Sequence, residues 1–136
     1  MEEYPEISAF TAELNTYLKA RFNYKSDPAD VTNFGKTIDT KRGKFELYLR
    51  YKPDYDPYSP NTLVIARVFF YKTRRGHGTD LLRFFVSVAP KFGIEHIAVE
   101  MAGQNATAFC KAHGFQEIAN KVWSVSVEKL KNRAAA

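Results

Sequence analysis

The run Thr62-Leu63-Val64-Ile65-Ala66-Arg67-Val68-Phe69-Phe70-Tyr71, its turn Lys72-Thr73-Arg74-Arg75-Gly76-His77-Gly78, and the amphipathic run Thr79 to Phe92 decide the fold. The first segment is β-rich and apolar on both faces, as a central strand is. In the last, Leu81, Phe85, Val88 and Phe92 form one helical stripe, widened by Leu82 and Ala89, with Asp80, Arg83, Ser87 and Lys91 opposite. A strand that enters a helix through a glycine turn leaves N–H groups unpaired at the helix start. Those donors, the helix dipole, Arg74 and Arg75 suit a phosphate or pyrophosphate. Gly76 and Gly78 let the backbone approach such an anion with no Cβ in the way. The plainer alternative is a structural turn with two solvated arginines. The pattern is neither G-x-x-x-x-G-K-[ST] nor a G-x-G-x-x-G within a βαβ unit, so any phosphate here is held differently.

On either side of this segment the chain reads as one α/β unit. Pro5 to Phe22 is helical, with Ile7, Phe10, Leu14, Tyr17, Leu18 and Phe22 on one stripe, Glu6 near its start and Lys19 and Arg21 near its end. Asn23 to Gly35 is polar and turn-rich, with room for a short helix. Lys36 to Thr40 and Phe45 to Lys52 predict a hairpin turning at Gly43. Pro53, Pro57 and Pro60 then impose a loop that carries Tyr55 and Tyr58. Beyond the central helix, ended by Gly93, Ile94 to Ala102 reads as a strand. Asn105 to His113 reads as a short helix capped by Asn105 and stopped by Gly114. Phe115 to Ala119 and Val122 to Glu128 form a closing hairpin, and 131–136 reads as a disordered tail after a single domain over 1–130.

At 136 residues the chain has the length of one domain, and 45% hydrophobic content with 11 Phe, 8 Tyr and 1 Trp argues against disorder. No apolar run is long enough to cross a bilayer, and Met1-Glu2-Glu3 does not resemble a signal peptide. The lone Cys110 excludes an internal disulfide and fits a reducing cytoplasm. Three scattered histidines show no metal-ligand spacing, so no metal is expected. The net charge of +5 favours an anionic ligand or partner. Basic residues cluster only at Lys41 to Lys44, Lys72 to Arg75 and Lys129 to Arg133.

The order strand, Arg-Arg-Gly-His-Gly-Thr, helix, strand, short helix, Gly-Phe, strand, strand resembles the GNAT superfamily of acetyl-CoA-dependent N-acetyltransferases. Arg74, Arg75, Gly76, His77 and Gly78 fill the last five positions of its phosphate-loop pattern [QR]-x-x-G-x-[GA], and Leu81-Leu82 matches its leucine pair. Phe109 to Phe115 resembles its L-Y-x-K-x-G-F segment, and Ser124 to Leu130 its closing strand. The resemblance covers about half of the chain, Leu63 to Leu130. It departs at Thr73, where Gln or Arg is usual, at Gly103, where an Asn commonly lies, and at Cys110, which replaces a tyrosine acid. There is also little room before Pro5 for the family's first strand.

The resemblance implies a mixed, mostly antiparallel central sheet flanked by helices and splayed between the strands at 62–71 and 94–102. It implies acetyl-CoA in that gap, its pantetheine arm on main-chain groups of Val68, Phe69 and Phe70. The pyrophosphate would lie on Arg74, Arg75, Gly76, His77, Gly78 and Thr79, with Asn105 nearby. Direct transfer to a primary amine in a ternary complex needs a neutral amine, donors for the developing oxyanion and a proton for the departing thiolate. Cys110 is apt as that acid, since a free thiol titrates near 8.5; its alternative is a small core residue. Glu100 and Glu46 are the candidate bases, His96 a weaker third, and water-relayed deprotonation the alternative. Tyr48, Tyr51, Tyr55 and Tyr58 are candidates to line the amine pocket. The acceptor is a small molecule or a protein, and the oligomeric state stays open, a homodimer included. Two rival classes are a GNAT-like module that binds acyl-CoA or protein without catalysis and, more distantly, a nucleic-acid binder.

Overall fold

The computed structural model describes residues 5–41, 43–72, 75–100 and 103–135. Among them helix α1 (Pro5–Phe22) precedes strands β1 (Ala29–Thr32), β2 (Thr37–Lys41), β3 (Phe45–Tyr51) and β4 (Thr62–Phe70). Then come α2 (His77–Phe92), β5 (His96–Val99), α3 (Gln104–Ala112), β6 (Gln116–Ala119), β7 (Val122–Ser126) and α4 (Val127–Ala135). The strands make one seven-stranded sheet in the order β1-β2-β3-β4-β5-β7-β6. Every neighbouring pair is antiparallel except β4 and β5, which run parallel and are joined by the α2 crossover. This is the mixed, mostly antiparallel sheet flanked by helices that the sequence implies.

The period-2 alternation of β3 divides the sheet into two unlike faces. Phe45, Leu47 and Leu49 join Leu63, Ile65, Ile97 and Val99 in the core that α1 and α2 cover. Glu46, Tyr48 and Arg50 point the other way and are half-buried. Phe10 of α1 is fully buried, its ring 5.2 Å from Tyr51, 6.3 Å from Phe85 and 5.4 Å from Phe92, so one side chain joins α1, β3 and α2. Lys52 fastens the same corner from outside. Its ammonium donates to the carbonyl of Phe92 and lies 3.1 Å from a Glu6 carboxylate oxygen.

Four stretches differ from the sequence expectation, each for a local reason. β1 lies inside the segment read as turn or short helix. Buried Asn15 holds it there, accepting from the Ala29 N–H at 2.7 Å and donating to the Ala29 carbonyl at 3.0 Å. Asn33, Phe34 and Gly35, all at positive φ, then turn the chain into β2. β5 is shorter than 94–102, because its ladder with β7 runs only from His96 to Val99; Met101 and Ala102 lie outside the described residues. α3 begins one residue earlier, capped by Gly103, which puts Asn105 in the first turn. Finally, the alternation Ser124 to Val127 reads as a strand, but the Ser126 hydroxyl accepts the Lys129 N–H at 3.0 Å and starts α4. Residues 131–135, expected as a tail, continue that helix, while Val127 and Leu130 bury its inner face.

Because Phe10 fills the junction of three elements, Phe10→Ala should cost about 3–5 kcal/mol of unfolding free energy in a urea titration followed by circular dichroism.

Candidate functional site

β4 and β5 pair from Thr62↔His96 to Ile65↔Val99, and the last bond is the Glu100 N–H to the Ile65 carbonyl at 3.1 Å. Among the described residues β4 then continues with no partner on that side. Val68, Phe69 and Phe70 pair only with Leu47, Glu46 and Phe45 of β3 among the described residues. A bulge assists the separation: Leu49 faces Ile65 and Tyr48 faces Arg67, so Ala66 is the extra residue. The result is a wedge whose apex is Ile65 and Glu100. Along one wall runs the unpaired edge of β4, which offers main-chain donors and acceptors to an extended ligand. Val68 is 37% and Phe69 48% exposed, as that opening requires.

The wedge opens toward the start of α2. Gly76 caps this helix at φ 72° and ψ 16°, a left-handed conformation that favours glycine. A Cβ there would meet nothing within 4 Å, so the space over the turn is open. The first helical bond is Asp80 N–H to the Gly76 carbonyl at 2.9 Å. Gly76 supplies no side-chain cap, so the N–H groups of His77, Gly78 and Thr79 are left without a helical acceptor. Gly78 has a second role, because a Cβ on it would lie 3.1 Å from the Phe109 ring of α3. Arg75 is exposed beside this cradle; Arg74 lies outside the described residues.

Arg21, read in the sequence only as a charge at the end of α1, holds the turn from behind. Its Nη2 donates to the Arg75 carbonyl at 3.2 Å and its Nε to His77 Nδ1 at 3.2 Å. Its Nη1 lies 3.3 Å from Asp80 Oδ2, which also accepts the Tyr17 hydroxyl at 2.6 Å. Accepting at Nδ1 leaves the neutral His77 ring its proton on Nε2. Phe22 and Phe70 flank that ring at 4.8 and 5.1 Å. Burial and then the Arg21 charge hold the His77 pKa below the ordinary value, Arg75 adding to the effect and Asp80 opposing it.

On the sheet face away from the core, Glu100 stands at the apex of the wedge. Its Oε1 lies 3.0 Å from Arg50 Nε and 2.9 Å from Arg50 Nη2, and its Oε2 accepts the Tyr58 hydroxyl from the proline-rich loop. Burial pushes the Glu100 pKa up, but the bonds from Arg50 and Tyr58 and the Arg50 charge outweigh it, so the carboxyl titrates below its usual range. The Tyr48 ring lies between the Arg50 and Arg67 guanidiniums, 5.6 Å from each. Glu46 lies four residues from Arg50 on β3, about 13 Å along the strand. It accepts the Tyr71 hydroxyl at 3.1 Å and faces Arg67 at 3.8 Å.

No protein-family model matches the sequence, and no curated protein sequence matches it. Solved structures do. AtaTR, solved with acetyl-CoA bound, superposes with a TM-score of 0.52 at 15% identity over 72% of this chain and 71% of its own. KacTA, solved as a DNA complex, gives 0.51 at 15% identity over 91% and 85%. A GNAT-family acetyltransferase from Staphylococcus aureus Mu50 gives 0.50 at 16% identity over 88% and 94%. The chain has the GNAT fold. Among the described residues its first strand follows α1; residues 1–4, where the resemblance left little room for a strand, lie outside them.

Within this GNAT fold the candidate residues separate. Val68 to Phe70, Arg75, Gly76, His77, Gly78 and Thr79 gather along the wedge and its mouth, and Glu100 sits at the apex. Glu46 is removed along β3, and His96 lies at the other end of β5 from Glu100. Asn105 is exposed in the first turn of α3. Cys110 is fully buried in the core, where burial pushes its thiol up to about 11. That geometry does not suit an acid in the wedge. The roles of Arg21, Arg50 and Arg67 were not legible in the sequence, since an isolated arginine on a helix end or strand carries no signal of its partner. Among the described residues no cluster of acidic, histidine or cysteine side chains could hold a metal, and no helix is long and apolar enough to cross a membrane.

The depressed His77 pKa has a consequence for stability. The folded chain resists a proton that the unfolded chain accepts near 6.5, so the contribution is complete above that pH and declines as pH falls below it. Denaturation curves from pH 8 to pH 5 should show this decline, and His77→Gln should lessen it, leaving the similar contribution of His113, whose pKa is also lowered by burial.

Proposed function

We propose that this protein is an N-acetyltransferase that carries an acetyl group from acetyl-CoA to a primary amine by direct transfer in a ternary complex. One observation carries the reading: the unpaired β4 edge leads directly to an uncapped helix start flanked by Arg75. An extended amide-bearing arm ending in a pyrophosphate matches both parts of that wedge in polarity. Bound there, acetyl-CoA supplies the activated acetyl group. Ala66 to Phe70 hold the arm as an added strand, and the N–H groups of His77, Gly78 and Thr79, with Arg75, hold the pyrophosphate. Arg74 and Asn105 stay proposed contacts of the same ligand.

The amine enters over the polar face of the sheet. Glu100, kept ionised by Arg50 and Tyr58, attracts and orients it near the apex of the wedge. A carboxylate so well paired is a weak base, so the amine gives its proton to water in this reading. Glu46, loosely paired with exposed Arg67, is the candidate base for a longer acceptor. The sealed Cys110 leaves the thiolate without its usual kind of acid, and Tyr58, held at Glu100, is the hydroxyl best placed to supply a proton. Tyr48 and Tyr55 border the acceptor, which is a small molecule or a protein.

The second reading is a GNAT-fold module that binds the acyl donor without transferring it, favoured by the burial of Cys110 at the position of the family's tyrosine. Two experiments decide. Acetyl-CoA at a hundredfold excess over its Kd should stabilise the wild type by about 2.7 kcal/mol, a rise of several degrees in Tm, and Arg75→Glu should abolish the rise. No rise in the wild type would sink the donor assignment. Across a panel of amines, thiol release should fall at least about tenfold in kcat for Tyr58→Phe and Glu100→Gln while donor binding is unchanged. Donor binding with no thiol release from the wild type would establish the binding module instead.

A further inference from the structure

The bulge at Ala66 does more than part β4 from β5. Leu63 and Ile65 alternate into the core, and an unbroken strand would send Arg67 after them. The extra residue reverses the alternation, so Arg67 stands opposite Tyr48 on the outer face, two residues past the apex of the wedge. Its side chain is 56% exposed and makes no hydrogen bond among the described residues. Nη1 lies 3.8 Å from Glu46 Oε1, longer than a hydrogen bond. The face of the Tyr48 ring, 5.6 Å away, steadies the guanidinium. Nε and Nη2 are left without partners among the described residues, in the planar fork that suits a carboxylate.

Arg50 lies equally far from the same ring but is engaged, since its Nε and Nη2 both hold Glu100. From the apex outward, the face therefore offers an ionised carboxylate, an aromatic surface and an arginine fork. The two guanidinium carbons each lie 5.6 Å from the Tyr48 ring centre, so they are at most twice that distance apart. A small molecule bearing one charge of each sign spans such a face.

We propose that the acceptor is a small amino acid, its ammonium held at Glu100, its carboxylate on Arg67 and its carbon chain across Tyr48. The inference rests on the transferase reading and names the substrate class of the same site. A polycationic amine would set a charge against Arg67, and a simple amine would leave the fork unused. Glu46 opposes an anion here, but its Oε2 accepts from Tyr71 and its Oε1 approaches only Nη1, so the Nε–Nη2 edge stays open.

Thiol release from acetyl-CoA tests the assignment with amino acids whose amine stands at increasing distance from the carboxylate, each against its own primary carboxamide. For the length that fits, wild-type kcat/KM per neutral amine should be at least about tenfold higher for the acid than for the amide. Arg67→Gln, which removes an exposed side chain with no hydrogen bond to a neighbour, should erase that ratio. Release without preference for any acid over its amide overturns the inference and leaves the transferase reading intact. A preference that survives Arg67→Gln also overturns it, because another group would then hold the anion. Release from other amines but from no member of this series overturns the inference alone, and release from no amine at all overturns both readings.

Discussion

The parallel pairing of β4 with β5 ends at Ile65 and Glu100, and the arrangement of the site follows from that early ending. Parallel strands bring their carboxyl ends to one edge of the sheet, where the following helices also begin. β4 runs on past the last shared bond under the guidance of β3, and the bulge at Ala66 bends it away. Among the described residues that edge of β4 is thereby left unpaired past Ile65. An unpaired edge is normally a liability that proteins cover. Here it leads to an uncapped helix start, and the two together form a continuous line of main-chain donors and acceptors.

Helix α1 gives that line its fixed position. Phe10 anchors the helix against β3 and α2, and Tyr17 stacks on Phe84 at 4.4 Å. Its last turn then delivers Arg21 to the Arg75 carbonyl, His77 and Asp80. The side chains of Arg21 and Asp80 are 28% and 30% exposed, so their ion pair contributes little net stability in solvent. Its effect is geometric: Arg21 occupies the back of the turn, which leaves the helical N–H groups to face outward. The Arg50–Glu100–Tyr58 group does comparable work at the apex by tying β3, β5 and the proline-rich loop to one carboxylate.

Much of the fold was legible because periodicity reports burial directly. The apolar α1 stripe and the β3 alternation both match the structure, with Tyr17 and Tyr51 half-buried at their margins and Thr11 and Asn15 joining the buried face of α1. The legible part of the site was the glycine turn, since positive φ at Gly76 and an open approach to the backbone leave a local signature. Features that depend on distant partners were not legible. Nothing near Ala29 announces the Asn15 clamp that makes β1 a strand. The alternation of Ser124 to Val127 satisfies a strand pattern as well as the helix start that the Ser126 hydroxyl selects. Cys110 as an acid was a reasonable reading of its segment, and only packing showed that its sulfur faces the core.

By itself the sequence determined the strand–turn–helix unit, the two unlike faces of the sheet and the chemistry of an anion cradle, because each depends on residues close together in the chain. The tertiary structure decided where β4 and β5 part and which arginines support or line the site. Those outcomes depend on contacts between residues 50 or more positions apart, such as Arg21 with His77 and Arg50 with Glu100. Such contacts form when helices pack on the sheet, and packing depends on shape and volume across the whole domain.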